Sequence, residues 1–561
     1  MQQVFRQLAG WHPTVLLGLL ALWLATLGNI PLWLEMARWS ELAHPAQWAL
    51  FLGWGLMLWA AILAFAAFWV WPRWRKPAGL LLLLTGALSS YFMATYRVVI
   101  DPTMWANVVN TDTAEVRDLL SWRLGLVLVM GFGLPGWWWW RQRVRAVPSG
   151  RLVVQQLATA LGCLVLAVVI LWLGFQDMAS LMRNHKSLRY MINPFNTVYA
   201  ASRYSLGRAS QAQQVLRPVA EDAALAPGAP TGAQAPLVLI VVGETARAAN
   251  FGLSGYGRDT TPRLQQLVAQ GDAVYFNHTS SCGTNTQTSV PCMFSLQTRA
   301  DYDPDLRQEN LLDVLQRAGL AVLWLDNQSG CKGVCDRVVH RQVAELLGPG
   351  RCPDGECPDS ALLEALPAGL ALLDPERRAR GTVVVLHQMG SHGPAYYRRT
   401  PAEFKAFTPE CQSTALTACK PEDIVNAYDN SIRYTDHLLG EATAWLERQG
   451  QPAVLYYLSD HGESLGEKGL YLHGMPYSMA PQEQTQVPML LAWSSAYREQ
   501  YRLGLACLTQ RAREPASHDH LFHSVLGIAG VQTRAYQPEL DVAAHCRGDV
   551  VGLRHPGNAG G

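Results

Sequence analysis

The sequence lacks an excess of charge of one sign. Its 45 Lys and Arg residues nearly balance 44 Asp and Glu residues, which leaves a formal net charge of +1 over 561 residues. A chain without a basic field has no electrostatic attraction for a polyanion, so we expect no nucleic-acid partner. Charged residues are also scarce, at 16%, beside an apolar fraction of 49%. That balance is typical of a membrane protein.

Charge is missing from the centres of five apolar runs in the first part of the chain. Each run is near the roughly 20 residues that a membrane-spanning helix needs. We predict five spans, at 15–34, 48–70, 79–96, 124–140 and 153–175. A transporter or proton pump usually places an ionisable residue within its spans. We therefore interpret the five helices as a membrane anchor and platform.

Basic residues in two short loops predict the orientation of this anchor. Basic clusters at residues 73–76 and 141–145 follow the second and fourth predicted spans. Positively charged loops stay on the cytoplasmic side. Five crossings then place the N-terminus on the cytoplasmic side of the membrane and everything after about residue 176 on the opposite side.

Cysteine is nearly absent from the membrane part, where only Cys163 occurs, and the other ten cysteines follow it. That even number is typical of disulfides in an oxidising compartment. Short spacings suggest the pairs Cys282–Cys292, Cys331–Cys335, Cys352–Cys357 and Cys411–Cys419, which leaves Cys507 and Cys546 to pair at long range. The alternative is a zinc ribbon built from Cys331, Cys335, Cys352 and Cys357.

Composition divides the chain into three parts. We expect a transmembrane domain at 1–176, interfacial helices and an Ala-, Pro- and Gly-rich linker at 177–235, and a catalytic domain at 236–561. In the last part, short apolar runs alternate with helix-like segments. This pattern predicts an α/β domain with a mainly parallel sheet.

Polar side chains follow several of the predicted strands. Glu244, His392, Asp460 and His461 each come directly after a strand or within a few residues of its end. In parallel sheets, ligands bind outside the carboxyl ends of the strands. Taken singly, each residue is more often a cap or a surface group. Two carboxylates, an imidazole and a hydroxyl at one edge predict a divalent-metal site that suits zinc or manganese better than magnesium.

The predicted outer loop, 97–121, has polar residues at helical spacing. Asn107, Thr111 and Glu115 stand at i, i+4 and i+8, which places them on one helical face. From spacing alone, the favoured interpretation is the solvated face of an interfacial helix.

Five segments together resemble a known family. Residues 243–245, 282–293, 391–394, 459–464 and 472–474 are similar to the lipid A phosphoethanolamine transferases, which include intrinsic enzymes and the mobile colistin-resistance proteins. The resemblance covers essentially the whole chain. It implies an alkaline phosphatase or sulfatase-like fold and transfer of phosphoethanolamine from phosphatidylethanolamine to a lipid A phosphate, which confers polymyxin resistance. It also implies a monomer in the bacterial inner membrane with its catalytic domain in the periplasm.

The resemblance also implies the roles of particular residues. Zinc would be held by Glu244, Thr286, Asp460 and His461, with Thr286 as the nucleophile that forms a phospho-threonine-type intermediate. One zinc ion is expected, and a second ion during turnover is left as an alternative. The residues expected to contact phosphoethanolamine or a second metal are Asn107, Thr111, Glu115, Ser329, Lys332, His392 and His473, of which His392 or His473 would donate a proton.

The role of Thr286 as a nucleophile also follows from general chemistry, independently of the family resemblance. A threonine hydroxyl is a weak nucleophile, but a bound cation favours its alkoxide. A loop crosslinked between Cys282 and Cys292 would present it rigidly.

Four other functions compete with this interpretation. A glycerophosphate transferase resembling lipoteichoic acid synthases would tend to lack the disulfides. A sulfatase needs Cys or Ser followed by x-Pro-x-Arg, and residues 286–290 offer neither. A phosphomonoesterase has no obvious need of five spans, and a catalytically silent scaffold that binds headgroups or metal is the alternative outside the enzymes.

Overall fold

The computed structural model describes residues 10–39, 45–71, 73–111, 116–117, 119–174, 178, 186–352 and 356–548. Tertiary contacts divide the chain into two compact units. The first comprises Met1–Trp105 and Leu120–Tyr204, and the second comprises Ala106–Leu119 and Ser205–Gly561. The residues of the outer loop from Ala106 to Leu119 therefore belong to the second unit.

The first unit is helical. Its helices, with α5 and α9 continuing into the second unit, are α1 Pro13–Thr26, α2 Ile30–Trp39, α3 Pro45–Trp69, α4 Arg75–Tyr96, α5 Pro102–Asn110, α6 Trp122–Val127, α7 Leu134–Arg141, α8 Ser149–Leu173 and α9 Phe195–Gln213. Helix α1 begins where Pro13 presets the backbone and the His12 side chain accepts the Thr14 N–H at 3.3 Å.

Four helical segments in the described residues are long and apolar enough to cross a membrane: Pro13–Arg38, Phe51–Trp69, Arg75–Tyr96 and Ser149–Leu173. The remaining predicted span, 124–140, falls on α6, a π-helix at Leu128–Gly133 and α7, which follow one another without a break. The wider turn lies where Gly131 packs on α4, because a Cβ there would stand 3.1 Å from the Ala87 Cβ. A count of five spans stays a prediction.

The second unit alternates strands and helices. Its strands are β1 Ala224–Leu225, β2 Leu237–Gly243, β3 Ala273–Ser280, β4 Ala321–Asp326, β5 Val339–Gln342, β6 Thr382–His387, β7 Ala453–Ser459, β8 Ser464–Leu465, β9 Tyr471–Leu472, β10 Gln486–Trp493, β11 Ala516–Ser517 and β12 Val531–Gln532. Its helices are α10 Pro262–Gln270, α11 Thr286–Met293, α12 Leu311–Arg317, α13 Val343–Leu347, α14 Ala361–Leu370, α15 Pro375–Arg378, α16 Pro421–Arg448, α17 Gln482–Thr485, α18 Ser495–Gln500, α19 Leu505–Arg511 and α20 Asp519–Ile528.

Eight strands form one sheet in the order β11-β3-β10-β7-β2-β6-β4-β5. The sheet is mixed, which corrects the expectation of a mainly parallel sheet in one respect. Strand β10 runs antiparallel to both β3 and β7, while the pairs from β7 through β2, β6 and β4 to β5 are parallel. Strands β2, β4, β6 and β7 are buried along their whole length. Because these four are adjacent and parallel, their carboxyl ends meet at one edge.

The segment predicted as a linker contributes to the folded second unit. Strand β1 pairs antiparallel with β12, and the Arg217 N–H donates to the Arg307 carbonyl at 3.0 Å. Val219 and Ala223 are buried in the hydrophobic core. The domain boundaries themselves stay a prediction.

Candidate metal centre and active site

Two strand ends place three metal-binding side chains together. Glu244 follows β2, and Asp460 and His461 follow β7; all three are fully buried. The Asp460 N–H donates to the Gly243 carbonyl at 2.9 Å, which joins the two loops. The His461 Nε2 lies 3.4 Å from Glu244 Oε1 and 3.3 Å from Asp460 Oδ2. The parallel pairing of β2 with β7 is therefore what creates the cluster.

Thr286 brings a hydroxyl to the same point. It is the first residue of α11, whose preceding residue, Asn285, caps the helix by accepting the Thr288 N–H at 3.0 Å. The Thr286 Oγ1 lies 3.0 Å from Glu244 Oε2 and 3.4 Å from His461 Nε2. The four residues that the sequence predicted as metal ligands thus converge in the structure.

The donor set fits a divalent cation. Asp460 Oδ1 accepts the N–H groups of Thr245 and His461, at 3.1 and 2.7 Å, whereas Asp460 Oδ2 is buried and accepts no hydrogen bond from the described residues. The His461 Nδ1 lies 2.9 Å from the Gly462 carbonyl oxygen, so an Nδ1–H donates there and Nε2 faces the cluster. An unsatisfied buried carboxylate oxygen costs free energy that a cation would remove. One nitrogen and several oxygens match the ligands of zinc.

The pKa values of the cluster residues also indicate that positive charge is favoured there. Burial opposes ionisation of Glu244, yet His461 and the neighbouring histidines outweigh it and hold the pKa of Glu244 below its usual range. Burial and the charge of Glu244 raise the pKa of Asp460 to about 7. Burial disfavours a charged His461, but Asp460 and Glu244 raise its pKa to about 9. The cluster therefore retains a proton on His461, in the place that a cation would occupy.

Two further histidines stand beside this cluster. Their rings form a chain, since the His473 ring centroid lies 4.4 Å from that of His461 and 5.6 Å from that of His392. Burial lowers the pKa of His392 to about 3, so this ring is neutral. Gly390 allows the loop that bears His392 to approach Glu244 closely. Gly390 has φ +54°, and a Cβ at this residue would stand 2.6 Å from the Glu244 carbonyl oxygen.

Glu463 orients His473. The His473 Nδ1 lies 3.3 Å from Glu463 Oε2, and the Glu463 side chain is fully buried. This contact turns the other ring nitrogen of His473 away from Glu463. Glu463 was not predicted as a site residue from the sequence, although it stands in the same loop as Asp460.

Lys332 and Ser329 lie together in the loop after β4. The Lys332 Nζ donates to the Ser329 carbonyl at 3.0 Å and to the Ser329 Oγ at 2.6 Å. The Cys331–Cys335 disulfide encloses Lys332 in a short ring. In the same loop, Gln328 Nε2 donates to Glu244 Oε2 at 3.1 Å. Sequence reasoning missed Gln328, although its position after β4 was a signal of the same kind.

The outer loop reaches the nucleophile's helix within the second unit. Asn110 Nδ2 donates to the side-chain oxygen of Gln287 at 3.0 Å, and the Thr111 hydroxyl donates to the Asn107 carbonyl at 2.7 Å. Asn107 and Thr111 therefore stand on the segment that contacts the residue after Thr286. Glu115, expected on the same face, lies outside the described residues. Asn110 was not predicted, because its contact depends on tertiary structure.

The structure contains the five disulfides that the spacings suggested. Their Cα–Cα distances are 6.0 Å for Cys282–Cys292, 5.8 Å for Cys331–Cys335, 4.1 Å for Cys352–Cys357, 5.7 Å for Cys411–Cys419 and 5.4 Å for Cys507–Cys546. The zinc-ribbon alternative is therefore not adopted. The first disulfide encloses Thr286 and the whole first turn of α11.

Two family models match this chain. Residues 236–531 match the Sulfatase family, and residues 57–208 match the family described as phosphoethanolamine transferase EptA/EptB. The phosphoethanolamine transferase EptA of Salmonella typhimurium is 43% identical over 83% of this chain and 84% of its own length. This chain belongs to the phosphoethanolamine transferase family. Its expected sulfatase-like fold is confirmed.

Two further relatives extend the likeness. The phosphatidylethanolamine transferase Mcr-2 of Escherichia coli is 36% identical over 86% of this transferase and 90% of its own length. The structure of the integral membrane protein lipooligosaccharide phosphoethanolamine transferase A from Neisseria meningitidis superposes with a TM-score of 0.89 at 35% identity. It covers 96% of this transferase and 99% of its own chain. The transferase is accordingly a membrane-embedded enzyme with apolar N-terminal helices and a soluble C-terminal domain.

Proposed function

We propose that this transferase moves phosphoethanolamine from phosphatidylethanolamine to a phosphate of lipid A, through a covalent intermediate on Thr286. The observation that carries the proposal is the Thr286 Oγ1, 3.0 Å from Glu244 Oε2 and inside the buried cluster of Asp460 and His461. The catalytic domain would act on the periplasmic side of the inner membrane, as a monomer.

A divalent cation would be held by Glu244, Thr286, Asp460 and His461, and we propose zinc. When bound, it would favour the ionised form of the Thr286 hydroxyl and offset charge on the phosphoryl oxygens. The structure supports this assignment through the orphaned Asp460 Oδ2 and the orientation of the His461 ring.

Thr286 would act in two displacements. In the first, its Oγ forms a bond to the donor phosphorus as the bond to the diacylglycerol oxygen breaks, and a proton passes to that leaving oxygen. In the second, a phosphate oxygen of lipid A attacks the same phosphorus and the bond to Thr286 breaks. Helix α11 and its disulfide hold Thr286 in place, which favours an in-line approach.

His473 would donate a proton to the leaving group, and His392, whose ring is neutral, would contact the phosphoethanolamine. Both stand beside His461, and Glu463 fixes the ring of His473. A proton delivered from this side would neutralise the alkoxide of diacylglycerol as it departs. Lys332, with Ser329, would bind the phosphoryl group from the loop after β4, and Asn107, Thr111 and Glu115 would contact the headgroup from the outer loop.

Added ethanolamine would weaken the binding of polymyxins. Each amine lowers the net negative charge of the outer surface, to which cationic peptides bind. We therefore expect cells that carry the gene to resist polymyxin, and the gain to vanish in Thr286→Ala.

Mass spectrometry of extracted lipid A tests the proposal. Cells expressing the wild type should yield lipid A with added phosphoethanolamine, and Thr286→Ala should yield none while the protein is still made. Thr509→Ala, which alters a hydroxyl on α19, is the matched control and should resemble the wild type. Unmodified lipid A from the wild type would favour a silent scaffold or a phosphomonoesterase, and full modification by Thr286→Ala would refute the nucleophile.

A further inference from the structure

Asp359 is a buried carboxylate that joins two loops of the second unit. It stands two residues before α14 and is 5% exposed. Its Oδ1 accepts the Asn327 side-chain N–H at 2.8 Å and the Met389 backbone N–H at 2.9 Å. Its Oδ2 accepts the Gly390 backbone N–H at 2.9 Å and the Gln388 side-chain N–H at 3.3 Å. Three of these donors belong to the loop after β6, and Asn327 belongs to the loop after β4.

Both loops continue into the active site. The loop after β4 continues to Gln328, whose Nε2 donates to Glu244 Oε2 at 3.1 Å. The loop after β6 continues to His392, whose ring centroid lies 5.6 Å from that of His473. The hydrogen bonds of Asp359 to both loops therefore fix the distance between two groups of site residues.

The segment that carries Asp359 holds the loop of His392 at a second point. The Arg399 Nε donates to the His392 carbonyl at 2.9 Å, and the Arg399 Nη1 donates to Glu356 Oε2 at 2.9 Å. Glu356 stands three residues before Asp359. The Arg399 side chain is buried, so water and salt screen these contacts only weakly. Two carboxylates of one short segment thus hold the same loop.

We propose that Asp359 is a positioning residue, which aligns the loops after β4 and β6 around the phosphoryl group that reacts at Thr286. The proposal rests on the proposed function. A carboxylate suits this position because it has only acceptors, and four N–H donors surround it. Displacement of a reacting group by about 1 Å can lower a rate about 100-fold. Loss of the alignment should therefore lower the rate of an enzyme that is still folded.

The first test replaces Asp359 by Asn in the full-length enzyme in detergent. The amide has the same shape but a single oxygen, so its NH2 group faces two of the four donors. We expect kcat for release of diacylglycerol from phosphatidylethanolamine to fall about 10- to 100-fold, while bound metal per chain is unchanged. The loss should lie in kcat more than in KM, because every side chain that contacts the substrate is still present.

Asp436→Asn is the matched control. Asp436 is also buried and accepts two backbone N–H groups, from Arg263 at 3.1 Å and Leu264 at 2.9 Å, but these belong to α10. Both variants should lower Tm, so kcat is measured at a temperature at which circular dichroism shows both to be folded. Only Asp359→Asn should then lose kcat. Wild-type kcat in Asp359→Asn, an equal loss in the control, or loss of metal from Asp359→Asn would overturn the positioning role.

Hydrogen exchange tests the contacts independently of the reaction. In Asp359→Asn we expect the amides of Met389 and Gly390 to exchange about tenfold faster, as loss of one hydrogen bond predicts, and in the control we expect no change. Unchanged exchange in folded Asp359→Asn would overturn the proposal. If the wild type releases no diacylglycerol, the proposed function fails, and the exchange of these two amides still decides whether Asp359 holds the loop.

Asn327→Ala is a milder variant that keeps the test decisive if Asp359→Asn does not fold. It removes the one donor from the loop after β4 and leaves the three donors from the loop after β6. We expect kcat to fall about three- to tenfold with the metal content unchanged. Wild-type kcat in Asn327→Ala would show that the link between the two loops does not matter to the reaction, and would overturn the proposal.

Discussion

The His518 Nδ1 accepts a hydrogen bond from the Cys282 N–H at 3.0 Å. The other ring nitrogen, Nε2, lies 2.9 Å from the Ser459 carbonyl oxygen, to which it donates. Cys282 begins the crosslinked loop of Thr286, and Ser459 precedes Asp460. A single buried imidazole therefore ties the loop of the nucleophile to the strand end that bears the metal cluster. His518 was not predicted from the sequence.

Removal of this ring should destabilise the fold in a pH-dependent way. Burial lowers the pKa of His518 to about 3 from 6.5, so the folded protein holds the neutral form. The stability this provides is complete above pH 6.5 and is lost as pH falls toward 3. His518→Ala should lower Tm, at a cost of about 1–3 kcal/mol, and the difference from the wild type should shrink between pH 7 and pH 5. Thermal melts of both proteins check this, and a difference that does not change with pH would contradict it.

Glu244→Gln should abolish metal binding without changing the shape of the side chain. The amide keeps the volume but removes the negative charge that the cluster needs. We expect bound metal per chain to fall by more than about tenfold and transfer to be lost. Elemental analysis of the purified protein measures this. Glu441→Gln, which breaks an exposed ion pair with Arg263, is the matched control. If Glu244→Gln binds as much metal as the wild type, Glu244 is not part of the metal site.

Removal of metal should stop transfer reversibly. Prolonged chelation of the full-length enzyme should eliminate activity, and added zinc should restore it, because the nitrogen and oxygen ligands suit zinc better than magnesium. Far-ultraviolet circular dichroism before and after chelation checks that the fold survives. Activity that persists after the metal content has reached zero would show that the reaction needs no cation.

Asn110→Ala should impair transfer through its contact with the residue next to Thr286. Its amide donates to Gln287, next to Thr286, and so helps to hold the segment that bears Asn107 and Thr111. Loss of one hydrogen bond predicts a fall of about three- to tenfold in kcat/KM. Val108→Ala, which alters an exposed residue of the same helix, is the control. Combining Asn110→Ala with Gln287→Ala should add little to either change alone, and fully additive losses would refute the contact.

One rule was enough to predict that three of the candidate metal ligands lie together. Glu244, Asp460 and His461 follow buried parallel strands, so their convergence follows from the geometry of such sheets. The cysteine pairs were also predictable, because short spacings leave few partners. Gln328, His518 and Asn110 were not, since their roles depend on which distant segments pack together.

Two features of the fold were not predicted from the sequence. The antiparallel strand β10 was missed because a buried apolar run carries no signal of its direction. The span at 124–140 was predicted as a regular helix, and no hydropathy pattern signals the π-helix at Leu128–Gly133 within it. Both features are set by packing against neighbouring elements.

The most direct test of the central claim is to trap the intermediate. The purified enzyme is incubated with phosphatidylethanolamine in the absence of acceptor, digested, and analysed by tandem mass spectrometry. We predict phosphoethanolamine on Thr286, which disappears when lipid A is added. An enzyme that turns over while Thr286 stays unmodified, or that carries the group on another residue, would contradict the account.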